Sequence, residues 1–221
     1  MKIDIYVPSS LSEITLDQYQ RFHKISDGKE NNNFINQKMI EIFCNIDLKE
    51  VIKIKYTSLN NVLKHLDKLF KNKPKFKNTF TLSGINYGFI PKLDDMTFGE
   101  YIDLDNYMSD WSTMHKAMSV LYRPITYKSS GKYLIEEYDG VNDKMKQMPL
   151  DVCMSTILFF YSLSKDLSIN ILKSLTEKEM TDIQLKQTLQ ENGVGISLYM
   201  ELLEETLTNL IKSPVSNYMN A

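Results

Sequence analysis

The segment from Thr79 to Gly140 most restricts what this chain can fold into, because it alternates two kinds of hydrophobic period. Phe80 and Leu82 share one face of a short strand, and Tyr87 and Phe89 share one face of a second. Ser83, Gly84, Ile85 and Asn86 between them supply the turn of a hairpin, and Pro91 stops the returning strand. A second ribbon follows, marked by Ile125, Tyr127, Tyr133, Ile135 and Tyr138 around Ser129-Ser130-Gly131, with Asp139-Gly140 as a further turn. Helical spacing fills the interval between the ribbons. Thr97 and Glu100 form a capping-box pattern ahead of Phe98, Tyr101 and Ile102, with Leu104 or Asp105 near the helix end. Asp110 is placed to cap a second helix, on which Trp111, Met114, Met118 and Leu121 recur, and which Arg123-Pro124 would end.

Outside this block, helical spacing prevails. Lys2 to Val7 alternates as a short N-terminal strand. Thr15 caps a helix bearing Leu16, Tyr19 and Phe22 on one face. The polar run Ser26 to Asn33 reads as a loop, and Phe34 to Phe43 resumes the helical period. Ile52, Ile54 and Tyr56 fit either a brief alternation or a helical turn. A clearer helix follows, capped by Thr57 or Ser58 and carrying Leu59, Val62, Leu63, Leu66, Leu69 and Phe70. Val152 to Leu167 is the most apolar helix, and a last one is expected from Ile196 to Ile211. The expected fold is therefore α+β, mainly helical, with a short N-terminal strand and two small β-ribbons. Residues 1–167 are expected to form the main domain, and 168–221 a C-terminal helical subdomain with a short tail.

At 221 residues, 43% hydrophobic and 24% charged, the chain can bury a sizeable core. Its formal charge of −2 argues against a dominant nucleic-acid function. The richest apolar stretch, Val152 to Leu163, is too short for a membrane span and carries Cys153, Ser155 and Thr156. The N-terminus lacks the apolar core of a signal peptide, so a cytosolic location is expected. Cys44 and Cys153 each sit in an apolar helical context and read as buried thiols.

Several clusters of polar residues carry groups capable of chemistry. Asp94, Asp95, Glu100, Asp103 and Asp105 form the densest acidic run, but without the spacing of a calcium loop; they read as helix caps, solvated acids or an acidic docking face. His23, His65 and His115 fall on separate helices with no second ligand at metal spacing, so no metal or cofactor is expected. The glycines give no phosphate-loop pattern. Lys68, Lys71, Lys73, Lys75 and Lys77 favour a helix C-terminus, with a nucleic-acid patch as the sharper alternative. Arg123, close to many carboxylates, is expected to pair with one, internally or at a partner surface. The rings of Tyr87, Phe89, Tyr101, Tyr107, Trp111 and Tyr122 exceed what a minimal core requires, which leaves core packing and interface anchoring both open.

The strings YGFIPKLDDMTFGEYIDLDNY, W..MHKAMSVLYRPIT, YLIEEYDG and MPLDVCMSTILFFYSL, covering roughly Tyr87 to Leu163, resemble a group of small structural or tail-assembly proteins of tailed bacteriophages. The resemblance implies a non-enzymatic part in virion assembly, as a chaperone of a tail protein or as a component of the neck or tail. It places the chain in the host cytoplasm during assembly, with the virion as a second location. The expected partners are other phage structural proteins or further copies of the chain, with no membrane. Tyr101 and Trp111 are the expected anchors and Arg123 the orienting charge; Leu202 and Leu203, on the last helix, offer a competing surface. The alternatives are a phage enzyme built around Asp94, Asp95, His115 and Arg123, and a nucleic-acid module using the lysine cluster.

Overall fold

The structure is a computed structural model that describes residues 5–27 and 32–177, with side chains for 5–27 and 33–166. The protein is α+β and mainly helical. Helices α1 (Leu16–Ser26), α2 (Asn32–Phe43), α3 (Leu48–Val51) and α4 (Tyr56–Phe70) lead into strands β1 (Thr79–Leu82) and β2 (Ile85–Phe89). Then come α5 (Phe98–Met108), α6 (Met114–Leu121), β3 (Tyr122–Ser129), β4 (Lys132–Ile135) and the long α7 (Leu150–Glu177). Among the described residues, no helix is long and apolar enough to cross a membrane.

Local chemistry explains where the helices start. Thr15 and Gln18 form a complete capping box: the Gln18 N–H donates to Thr15 Oγ1 at 3.2 Å, and the Thr15 N–H donates to Gln18 Oε1 at 2.9 Å. The Gln18 amide also donates to the carbonyl of Ile42 at 2.7 Å, satisfying one of the carbonyls left over at the end of α2. The starts of α1 and α7 are tied back to back. The Leu16 N–H donates to Met148 O at 3.0 Å and the Leu150 N–H to Ile14 O at 2.8 Å, so the segment leading into each helix accepts the first N–H of the other. Ile14, Leu16, Met148 and Leu150 are wholly buried at this junction.

Aromatic contacts continue the helical core. Tyr19 meets Trp111 with ring centroids 4.5 Å apart and Phe70 at 6.1 Å, and Phe43 lies 5.0 Å from Phe70 and 5.1 Å from Phe22. Burying each such side chain stabilises the fold by about 1.5–3 kcal/mol. A second cluster joins the sheet to α7: Phe76 stacks on Phe159 at 4.5 Å, and Phe89 meets Phe76 at 5.1 Å and Tyr122 at 5.3 Å. Cys44 and Cys153 are free, buried thiols, and burial pushes Cys44 up to about 11 and Cys153 up as well.

The two ribbons are hairpins of one antiparallel sheet, in the order β1-β2-β3-β4. Both turn on a Ser-Gly pair with positive φ at each residue, 51° and 80° at Ser83-Gly84 and 48° and 79° at Ser130-Gly131, as a two-residue hairpin requires. The ladder between the hairpins is short: Tyr87, Gly88 and Phe89 oppose Pro124, Arg123 and Tyr122. Gly88 is needed there. The ring of Tyr133, reaching across from β4, lies where a Gly88 side chain would stand, with its nearest carbon 2.4 Å from an ideal Cβ position. The Tyr133 hydroxyl donates to Phe89 O at 2.8 Å, so the ring bridges the two hairpins.

Four expectations change. The N-terminal strand is absent from its described part: Ile5 and Val7 are half-buried against the core and Tyr6 points outward, so the alternation is expressed as burial without a ladder partner. The helix expected from Trp111 begins at Met114, because Asp110 folds back on Ser112 instead, accepting its N–H and hydroxyl at 2.7 Å each. Helix α6 ends at Leu121, ahead of the Arg123-Pro124 stop; the chain passes directly into β3, where Pro124 sits in the strand and its carbonyl accepts from Glu136 N at 2.9 Å. Helix α4 starts at Tyr56 behind Lys55, without the side-chain cap expected from Thr57 or Ser58, and Ile52 to Tyr56 takes the helical-turn alternative. The α7 backbone runs unbroken across 167–168, while the last expected helix lies outside the described residues.

Candidate functional site

Helix α5 carries two apolar stripes, and only one faces the core. Phe98, Tyr101, Ile102 and Asp105 follow the i, i+3, i+4, i+7 spacing of a single helix face. That face looks into solvent: Phe98 is 78% exposed, Tyr101 59% and Ile102 41%. The opposite face carries Glu100, Leu104, Tyr107 and Met108, and its most deeply buried side chain is a carboxylate. The helix thus buries a charge beside its inner apolar stripe and displays a second set of large apolar groups.

An ion pair fixes this orientation. Glu100 Oε1 accepts from Arg123 Nη2 at 2.7 Å, with the two side chains only 4% and 13% exposed. The other Glu100 oxygen accepts the Thr97 N–H and hydroxyl, each at 2.7 Å, closing the capping box of α5. The Arg123 guanidinium also lies 5.8 Å above the ring of Tyr138, whose hydroxyl donates to Asp103 Oδ2 at 2.5 Å. Burial and the Asp103 carboxylate both raise the Tyr138 phenol well above its usual value, so it stays a donor. The far end of the inner face is held by α6: the Thr113 hydroxyl donates to Tyr107 O at 3.1 Å, and Lys116 Nζ lies 5.0 Å over the Tyr107 ring. Carboxylate, guanidinium and phenol therefore clamp α5 from beneath while its apolar stripe stands clear.

The expected contact residues divide. Tyr101 is on the outward stripe. Trp111 is 6% exposed and packed on Tyr19, which corrects its expected role as a surface anchor. It was misplaced because its segment is a turn folded under α6, not the first turn of an amphipathic helix. Arg123 takes the internal option and pairs with Glu100. Leu202 and Leu203 lie outside the described residues. The spacing of Phe98, Tyr101 and Ile102 was legible; their outward direction had one signal, the competing stripe of Leu104, Tyr107 and Met108 on the same helix.

The residues of the enzymatic alternative belong to separate networks. Asp94 and Asp95 are exposed, and Asp95 has a loose 3.5 Å contact with Lys92. His115 is bound on both ring nitrogens. The Gln20 Nε2 group donates to Trp111 O at 2.6 Å and stands 3.0 Å from His115 Nδ1, so Nδ1 must accept and the proton resides on Nε2. Nε2 then donates to Asp143 Oδ1 at 2.8 Å. Burial holds His115 below its ordinary pKa despite that carboxylate. This is a neutral imidazole used as a strut between α1, α6 and the segment before α7. Asp143 had no sequence signal, since it lies 28 residues from its partner. Among the described residues, no group of three or more His, Cys, Asp or Glu side chains is arranged to hold a metal ion.

The lysine cluster is partly engaged. Lys71 pairs with Asp67 at 2.7 Å and Lys77 with Asp151 at 2.5 Å, which ties the latter to the first turn of α7. Lys68, Lys73 and Lys75 are exposed. No protein-family model, no curated protein and no solved structure matches this chain.

Proposed function

We propose that this protein is a non-enzymatic component of bacteriophage virion assembly in the neck or tail region, acting through protein–protein contacts. The observation that carries the reading is the outward stripe of Phe98, Tyr101 and Ile102. Large apolar side chains on a clamped helix give association free energy with little backbone ordering cost, at about 1.5–3 kcal/mol for each one fully buried. The acidic residues beside the stripe, Asp94, Asp95 and Asp105, supply orientation and partner choice. The phage assignment rests on the sequence resemblance between Tyr87 and Leu163.

Purification together with the products of neighbouring virion genes, followed by mass measurement and cross-linking, tests the reading. It expects a defined complex with cross-links from residues 92–110. Cross-links confined to the segment around Leu202 and Leu203 would remove α5 from the account. A protein that binds none of those products and never enters particles would remove the assembly function. Turnover lost on substituting Asp95 or His115 would establish the enzymatic alternative instead.

A further inference from the structure

A second exposed apolar region lies at the opposite kind of site, a notch. Past the three-residue seam where β2 meets β3, the two hairpins diverge and leave an open cleft of about 420 Å³. Phe80 and Asn86 line one wall; Ile125, Tyr127 and Lys128 line the other. Around the second hairpin, Tyr127 and Leu134 are cross-strand partners, each 61% exposed, and Ile85 on the first hairpin is 48% exposed. The charge in the cleft wall is basic, that of Lys128, while the Glu136 carboxylate lies toward Tyr87. Lys128 and Lys132 stand near the hairpin tip, and among the described residues neither has an ion-pair partner.

The α5 stripe is the complement of this notch in shape and charge. It is convex, aromatic and acidic, with Phe98 and Tyr101 projecting and Asp94 and Asp105 lacking ion-pair partners among the described residues. The notch is concave, with Phe80, Ile125 and Tyr127 among threonines and Asn86, carries the charge of Lys128, and has a volume that admits an aromatic side chain. We propose that the occupant of the notch is a second copy of this chain: the α5 stripe of one copy docks into the hairpin cleft of the next, head to tail. The two surfaces differ, so the contact is heterologous and repeats, closing into a ring or extending as a filament. Charge complementarity sets the direction, since two stripes or two notches would bring like charges together. The inference rests on the protein-contact function proposed above and names the partner.

The test uses the full chain and two variants. Phe98→Ser with Tyr101→Lys spoils the stripe; Tyr127→Ser with Lys128→Glu spoils the notch. All four positions are exposed, so both variants should fold. Mass measured by sedimentation over a range of concentrations should show the wild-type chain growing into multimers and each variant remaining monomeric. An equimolar mixture of the two variants should form dimers and nothing larger, because each supplies the surface the other lacks. Dimers in the mixture also prove that both variants are folded. Multimers from the stripe variant alone, as strand pairing between notches would give, overturn the proposal, and so does a mixture that stays monomeric while the wild type assembles. A wild-type chain that is monomeric yet captured by a neighbouring virion protein through α5 overturns head-to-tail docking and leaves the assembly function standing. A monomer that captures none overturns both.

Discussion

Helices α5 and α6 are neighbours in sequence, pack on each other, and are similarly rich in large apolar residues, yet they are used in opposite ways. In α6, Met114, His115, Ala117, Met118, Ser119, Val120 and Leu121 are all buried. In α5 only Glu100 and Met108 are. The inner helix needs close packing on every side and tolerates a histidine only because Gln20 and Asp143 satisfy both ring nitrogens. The outer helix is held by a few polar clamps on one face, which leaves its apolar residues available. Leu104, Tyr107 and Met108 pack inward beside the Glu100–Arg123 pair, so the inner face joins hydrophobic burial to a polar clamp, and the pair fixes which of the two apolar stripes is displayed.

Removing the clamp should have the largest effect. Arg123→Ala strands the Glu100 carboxylate in the interior and should cost about 3–5 kcal/mol, read by denaturant unfolding. Replacing both partners together, Glu100→Leu with Arg123→Met, should recover much of that loss. A single substitution costing under about 1 kcal/mol would mean that the pair does not fix the helix.

Next in size is the contrast between the two helices themselves. Met118→Ala, at a fully buried position, should cost about 2–5 kcal/mol. Ile102→Ala, on the outward stripe, should stay within about 0.5 kcal/mol of the wild type when measured on the dilute protein. Equal losses at the two sites would erase the distinction drawn here.

A smaller effect concerns acid. His115 has a folded pKa below its ordinary 6.5, so the unfolded chain takes up the proton first. Stability should be complete above pH 6.5 and decline as pH falls below it. Asp143, held low by Lys146 and His115, adds a further decline below about 3.8. His115→Gln should flatten the upper part of the profile. A wild-type protein equally stable at pH 7 and pH 5 would contradict the neutral strut.

Much of this fold was legible because it is written locally. The cap at Thr15 and the box Thr97-Glu100 announce two helix starts, and the Ser-Gly pairs announce two hairpins. What failed was mostly long-range. Nothing in the alternation of Ile5, Tyr6 and Val7 says whether a ladder partner exists; a local miss is Asp110, whose carboxylate can cap a helix or close a turn on Ser112 and does the latter. The fusion of two ribbons into one sheet depends on Gly88 accepting a ring 45 residues away, which no local pattern contains. The site shows the same division. The spacing of Phe98, Tyr101 and Ile102 could be read directly, but their direction depends on Arg123, which is brought to Glu100 by the strand after α6.

The central claim is that α5 displays its apolar stripe in the free protein and covers it on association. Hydroxyl-radical footprinting of the dilute and the assembled protein tests this most directly. Phe98 and Tyr101 should be strongly labelled when dilute and protected on assembly, while Trp111, packed against Tyr19, stays protected throughout. Strong labelling of Trp111 in the dilute protein, or unchanged labelling of Phe98 and Tyr101 between the two states, would contradict the account.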